Sequence, residues 1–253
     1  MGAVGRHAPP VCHSDSVFSR SRTVLIVAAA VLAAGCGSHH GSSLPRVSSA
    51  KIPSSVTAAP FTDSAALQAK LLTATDMPPG FEQIDNGSGG GGNGPTQPDR
   101  SHTSPAACAK VLDPVSDQVP GSTAGGAVHY SSADFDSIDI DAASYPNKAA
   151  AQAFSTVQQL LGDCGSYSGT DADGTAVSYQ VGGLNQARAG DASVSFQVRT
   201  TSQGMTLYSA ATVALVGSTV VQVARAAQKP VDPEALRGLT DTQVQRLQGI
   251  SGP

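Results

Sequence analysis

The sequence predicts an α+β domain: an antiparallel β-sheet, a meander in the C-terminal half, packed by amphipathic helices and tied by one disulfide. Three observations carry this. From Thr175 onward apolar residues recur at every second position, as in Val177, Tyr179, Val181 and then Val194, Phe196, Val198, the period of strands with one buried face. Two other stretches, after Pro146 and after Asp232, repeat near 3.6, the period of a helix with one buried stripe. Cys108 and Cys164 form an even pair in a chain that carries an export signal, the setting in which disulfides form.

Composition narrows the function classes. Of 253 residues, 40% are hydrophobic, 13% charged and 4% aromatic, with no Trp. The core is therefore built from Val, Leu, Ile and Ala, and a cofactor box of stacked rings is not expected. Three of the 15 basic residues and one of the 19 acidic ones precede Cys36, leaving 12 and 18 in the exported part, a net charge of −6 with no Lys/Arg cluster. Nucleic-acid binding and electrostatic docking to an anionic membrane both need such a cluster.

The chain opens with a leader. Residues 24–36 read VLIVAAAVLAAGC behind Arg20 and Arg22, a basic patch and an apolar run as in a secretory signal. The run from Val24 to Ala34 has 11 residues, short of the roughly 20 that a membrane-spanning helix needs. Residues 1–22 are long and mixed for the basic region of a signal, and a start at Val17 would leave the short segment VFSRSR. Cys36, in place of an A-x-A site, resembles the cysteine of a bacterial lipobox, although Ala33 stands where the strictest pattern has Leu. The resemblance implies a signal peptide over 1–35, cleavage after Gly35, and a thioether from Cys36 to diacylglycerol. Two or three acyl chains on Cys36 would hold the protein to the membrane, where a single chain binds only marginally. Residues 36–62, rich in Ser, Pro, Ala and Gly, read as a lipidated flexible tether. His39 and His40 lie in it and read as incidental rather than as a metal pair; Cys12 precedes the signal and is lost with it.

The folded part spans 63–250. Asp63 is placed as an N-cap before Leu67, Leu71 and Leu72 at helical spacing. That helix stops before Met77-Pro78-Pro79-Gly80, and Phe81 begins an extended segment. The stretch LLTATDMPPGF, Leu71 to Phe81, followed by Cys108-Ala109-Lys110-Val111-Leu112-Asp113-Pro114, resembles the PknH-like extracellular sensor domain family. That family includes the outer domains of mycobacterial receptor kinases and free actinobacterial lipoproteins. A later helix with a second cysteine and a β-rich C-terminal half also fit. The resemblance implies a sensor-type domain with a ligand cleft between sheet and helices. Many members of that family carry a second disulfide, for which this chain has no cysteines.

Further along, residues 86–103 read as a flexible Gly-rich loop without the flanking Lys-Ser/Thr of a phosphate cradle. Ser104-Pro105 opens a short helix over 106–112, with Cys108 and Leu112 four apart on one face. Residues 121–126 read as a loop, and 127–130 and 137–142 as strands. In the latter Ile138 and Ile140 take one face and Asp139 and Asp141 the other. With Asp134 and Asp136, these aspartates read as a solvated strand face rather than a cation site, and His129 as a satisfied strand histidine. The helix after Pro146 lines up Ala150, Ala153, Phe154, Val157, Leu160 and Leu161, ends near Gly162, and continues its stripe into Cys164. Both cysteines thus face inward from helices, which predicts a Cys108–Cys164 disulfide. Asp171-Ala172-Asp173-Gly174 starts like a calcium loop but has Thr175 at the third ligand place and no closing Glu, so it reads as a tight turn. Residues 207–216 and 218–224 are strands around Gly217, and the apolar run 213–223 should lie centrally under a helix. A closing helix starts at Asp232-Pro233, buries Leu236, Leu239, Val244, Leu247 and Ile250, and is expected to break at Gly238.

No G-x-S-x-G, H-E-x-x-H, C-x-x-C or S-x-x-K constellation is present, so no catalytic residue, metal ligand or cofactor is assigned. The expected function is a non-enzymatic ligand-binding or sensor-like domain. The alternative is an envelope interaction protein that binds another exported protein or a cell-wall polymer.

Overall fold

A computed structural model describes residues 43–54, 58–84, 100–146 and 148–250. The signal peptide, Cys36, His39, His40 and the Gly-rich run 86–99 lie outside the described residues.

Among the described residues, nine strands form one antiparallel sheet in the order β1-β3-β4-β9-β8-β7-β6-β5-β2. They are β1 (Phe81–Ile84), β2 (His102–Ser104), β3 (Ala124–Ser132), β4 (Ser137–Ser144), β5 (Ser166–Thr170), β6 (Ala176–Gly183), β7 (Ala192–Ser202), β8 (Met205–Val216) and β9 (Thr219–Ala227). The meander runs from β5 to β9. The apolar run of β8 and β9 lies at its centre, with Val213, Leu215, Val220, Val221 and Val223 fully buried. Helices α1 (Ser64–Gln68), α2 (Val115–Gln118), α3 (Ala149–Asp163) and α4 (Pro233–Gln248) cover both faces.

Strand alternation sorts the core in two. Val181, Val194, Phe196, Val198, Ala211 and Val213 face α3, the segment Ala106–Leu112 and α2. Tyr130, Ile138, Ile140, Ala214, Val221 and Val223 face α1 and α4. On α3 the buried residues are Ala150, Ala153, Phe154, Val157 and Leu161; Leu160, also placed in the stripe, is only partly buried. Gly162 lies within that helix, and Cys164 caps it. On α4, Asp232 accepts a hydrogen bond from Glu234 N and Pro233 stands in the first turn. The helix runs unbroken through Gly238 and ends at Gly249 with φ +73°, so Ile250 falls beyond it and is exposed. No helix among the described residues is long and apolar enough to cross a membrane.

The disulfide joins Cys108 to Cys164 with their Cα atoms 5.6 Å apart. The helix carrying Cys108 is 3₁₀, not α. A three-residue turn stacks position i on i+3, so Cys108 and Val111 are buried while Leu112, four residues on, is partly exposed. Its N-cap is Pro105, not Ser104. Gly125 and Gly126, read as loop, belong to β3. Gln68 of α1 lies against Gly126 and exchanges two hydrogen bonds with the Ala127 backbone. His102 and Thr103, read as part of the Gly-rich loop, form β2 against β5. α1 ends at Gln68, and Ala74–Asp76 makes a separate 3₁₀ turn.

The largest departure concerns the tether. Residues 43–54 do not run free but lie on the domain as a strap. Gly183 N donates to Pro45 O at 2.7 Å, Ala50 N donates to Gln158 Oε1, and Val47, Ala50 and Ile52 pack against the core below α3. This approach needs bare backbone: a Cβ on Gly182 would collide with Leu44, and one on Gly183 with the Arg46 carbonyl. Gly183→Val is therefore expected to displace the strap, and trypsin should cut after Arg46 and Lys51 many-fold faster than in the native protein. Unchanged cleavage, with the circular dichroism of the native fold, would show that the strap does not depend on this contact.

A cleft between the sheet and the short helices

One end of the sheet face under α2 is polar. β4 alternates Ile138 and Ile140 toward one side, so Asp139 and Asp141 point to the other. In register, His129 of β3 stands opposite Asp139, while Gln222 and Ala224 of β9 stand opposite Asp141 and Asp139. Leu112 and Pro114, where the 3₁₀ segment turns into α2, form the opposing wall. With Ser209 of β8 these groups enclose a cavity of about 220 Å³. The Arg225 side chain leaves by the other face, its guanidinium 5.7 Å above the Phe81 ring.

His129 Nδ1 lies 2.7 Å from Asp139 Oδ1, and Ser137 Oγ donates to Asp139 Oδ2 at 2.9 Å. His129 is thus a satisfied strand histidine, as its position suggested. Asp141 is not the solvated residue read from sequence. It is 5% exposed, and its Oδ1 is buried without a hydrogen-bond partner. Burial pushes its carboxyl up to about 6; His129 opposes that shift, while Asp139 and Asp117 add to it. Beside it, Gln118 Nε2 donates to Asp113 O at 2.6 Å and to Gln222 Oε1 at 3.3 Å. These bonds fix the Gln118 amide and leave its Oε1 buried and unpartnered. Burial, with Asp117 nearby, also raises the Asp113 carboxyl.

A carboxyl raised from 3.8 to about 6 by folding keeps its proton through that window while the unfolded chain loses it. The stabilisation is complete below about pH 4 and disappears as pH rises through 6. At pH 7 the buried carboxylate therefore costs about 2–3 kcal/mol. Asp141→Asn is expected to be more stable than the native protein at pH 7 by an amount of that order, and the difference should vanish near pH 4. Urea unfolding at the two pH values reads it; an equal difference at both would contradict the assignment.

Other sequence-singled residues have structural places. His102 Nδ1 contacts Thr170 Oγ1 at 2.8 Å at the β2–β5 pairing. Asp171 Oδ1 accepts from Asp173 N and Thr175 N, closing the β5–β6 turn as expected. Cys108 and Cys164 sit 1% exposed in the core, away from the cleft lining. A larger recess of about 490 Å³ lies under the strap, lined by Arg46, Lys51 and Arg188. All three of those cations are exposed. The cleft, by contrast, holds the buried carboxyl of Asp141.

No family model matches the sequence, and no curated protein is significantly similar to it. Among solved structures, the extracellular domain of PknH from Mycobacterium tuberculosis matches with a TM-score of 0.56 at 13% identity, over 77% of this chain and 98% of that one. The fold is that of the PknH extracellular domain. An Rv0999 ortholog from Mycobacterium smegmatis also matches, with a TM-score of 0.40 at 16% identity, over 75% of this chain and 97% of that one. The PknH-type fold accounts for the antiparallel sheet with helices on both faces, and the resemblance read from Leu71–Phe81 and Cys108–Pro114 is met at the level of the fold.

Proposed function

We propose that this chain is a lipid-anchored, extracytoplasmic binding domain that holds a small ligand, without turning it over, in the cleft between β3-β4-β9 and α2. The observation that carries this reading is the cavity itself: apolar walls at Leu112, Pro114 and Ala224 around a few convergent polar groups, His129, Asp139, Asp141 and Gln222, the general make-up of small-ligand sites. The fold shared with a kinase's extracellular domain supports an address outside the membrane, and the lipobox-like ending at Cys36 supports the anchor. Thermal-shift screening of the mature protein against envelope lipids, glycans and secreted metabolites tests the binding. A ligand at 100 times its dissociation constant adds about 2.7 kcal/mol of stability. No shift with any class, together with an exported protein crosslinked to this chain in cells, would favour the envelope-interaction reading. For the anchor, Cys36→Ala is expected to abolish acyl labelling and release the protein from membranes; undiminished labelling would place the modification elsewhere.

A further inference from the structure

The cleft has an imbalance of hydrogen-bonding groups. Asp141 Oδ1 and Gln118 Oε1 are both buried and unpartnered acceptors; Asp141 lines the cleft and Gln118 stands behind that lining. Their residues are 5% and 7% exposed. They are joined through Gln222, which pairs with Asp141 across the β4–β9 ladder and accepts from Gln118. The Asp113 carbonyl accepts from both Gln118 and Gln222, so each amide directs a donor to that carbonyl rather than to Asp141. A buried acceptor left without a donor is destabilising, and a donor arriving from outside relieves that cost.

The charges point the same way. Asp141 is faced by Asp139 on its own strand, by His129 on β3 and by Asp117 on α2. Asp113 adjoins them, and Lys110 spends its ammonium on the Asp117 carbonyl, outside the lining. Asp139 already engages His129, and Arg225, which also lines the cleft, turns its guanidinium to Asp136 and Phe81 on the other face; neither cation is paired with Asp141. Among the described residues no three His, Cys, Asp or Glu side chains converge as metal ligands. The walls are apolar, and about 220 Å³ is the volume of about seven water molecules.

We infer that the cleft selects a small organic cation, a primary ammonium on a short apolar body, with the ammonium directed to Asp141 and the body between Leu112 and Pro114. This rests on the binding reading above and adds its ligand class. The ammonium supplies the donor missing at Asp141, and its charge holds that carboxylate ionised. Affinity therefore falls as Asp141 takes up its proton, by about tenfold between pH 7 and pH 5 for a group titrating near 6.

Propylammonium, with 1-propanol and propionate as neutral and anionic counterparts of the same size, tests the assignment by amide NMR titration of the mature protein. Propylammonium should give saturable shifts centred on His129, Asp139, Asp141 and Gln222. Asp141→Asn should weaken it at least tenfold while remaining folded and more stable at pH 7, and Gln118→Leu should weaken it less. Propanol or propionate binding as tightly at these residues would overturn the cationic assignment and leave the cleft a binding site. Calcium saturating the same residues while propylammonium does not, or no saturable shift from propylammonium up to about 100 mM, would also overturn it. Only a negative screen across all ligand classes would reach the binding reading itself.

Discussion

Replacing Cys108 and Cys164 together by alanine is expected to lower the unfolding free energy by about 4 kcal/mol. The bond spans 56 residues, and opening a loop of that length returns about this much conformational freedom to the unfolded chain in the entropic account of crosslinks. It also ties the 3₁₀ segment, which has little helical cooperativity of its own, to the end of α3. Denaturant unfolding of the oxidised native protein and the double variant measures the difference. Leu112 ends the segment the bond secures and Pro114 follows it, so the cleft wall should loosen with it. A loss below about 1 kcal/mol would mean that this segment is held by packing alone.

Phe154→Ala should cost about 3–5 kcal/mol, the range for removing a fully buried aromatic ring. Phe154 is 0% exposed at the middle of α3, in the cluster with Phe196, Val198, Ala211 and Val213 of the sheet. Phe154→Leu keeps most of the volume and should cost less than half as much. The midpoint of urea unfolding, read with an unchanged slope, distinguishes the two. Equal losses for Ala and Leu would show that ring shape, rather than buried volume, matters at this position.

The β5–β9 meander was legible because its strands alternate cleanly and follow one another in sequence, with Gly217 marking a turn. The stripe of α3 was legible for the same local reason. The 3₁₀ segment was not: with helix assumed, Leu112 took the place that Val111 occupies, although the prolines at 105 and 114 bracket a piece too short for a regular α-helix. The strap was hidden because much of what holds residues 43–54 is backbone, set against Gly182 and Gly183 more than 120 residues away. A sequence poor in large apolar residues carries little trace of such a contact.

The cleft was half legible. Period-two reading put Asp139 and Asp141 on one face, and it placed His129 in a strand. It could not say that α2, two dozen residues upstream, lies across that face and buries the Asp141 carboxyl while Asp139 stays partly exposed. The orphan oxygens at Asp141 and Gln118 are products of that crossing, with no local sequence signal.

The order of strands carries a last consequence. The two outermost strands, β1 with four residues and β2 with three, are supplied by the N-terminal part of the domain and close the rims of a much longer sheet. Short polar rims such as Glu82-Gln83 and His102-Thr103-Ser104 offer a neighbouring molecule few free backbone groups to pair with. A chain clipped before Ala106 would lose both strands. It would bare β3 and β5 along most of their length and become prone to edge-to-edge association. Proteolytic trimming up to Pro105 would then do more than shorten the molecule: it would convert a self-contained sheet into one open to pairing from either side.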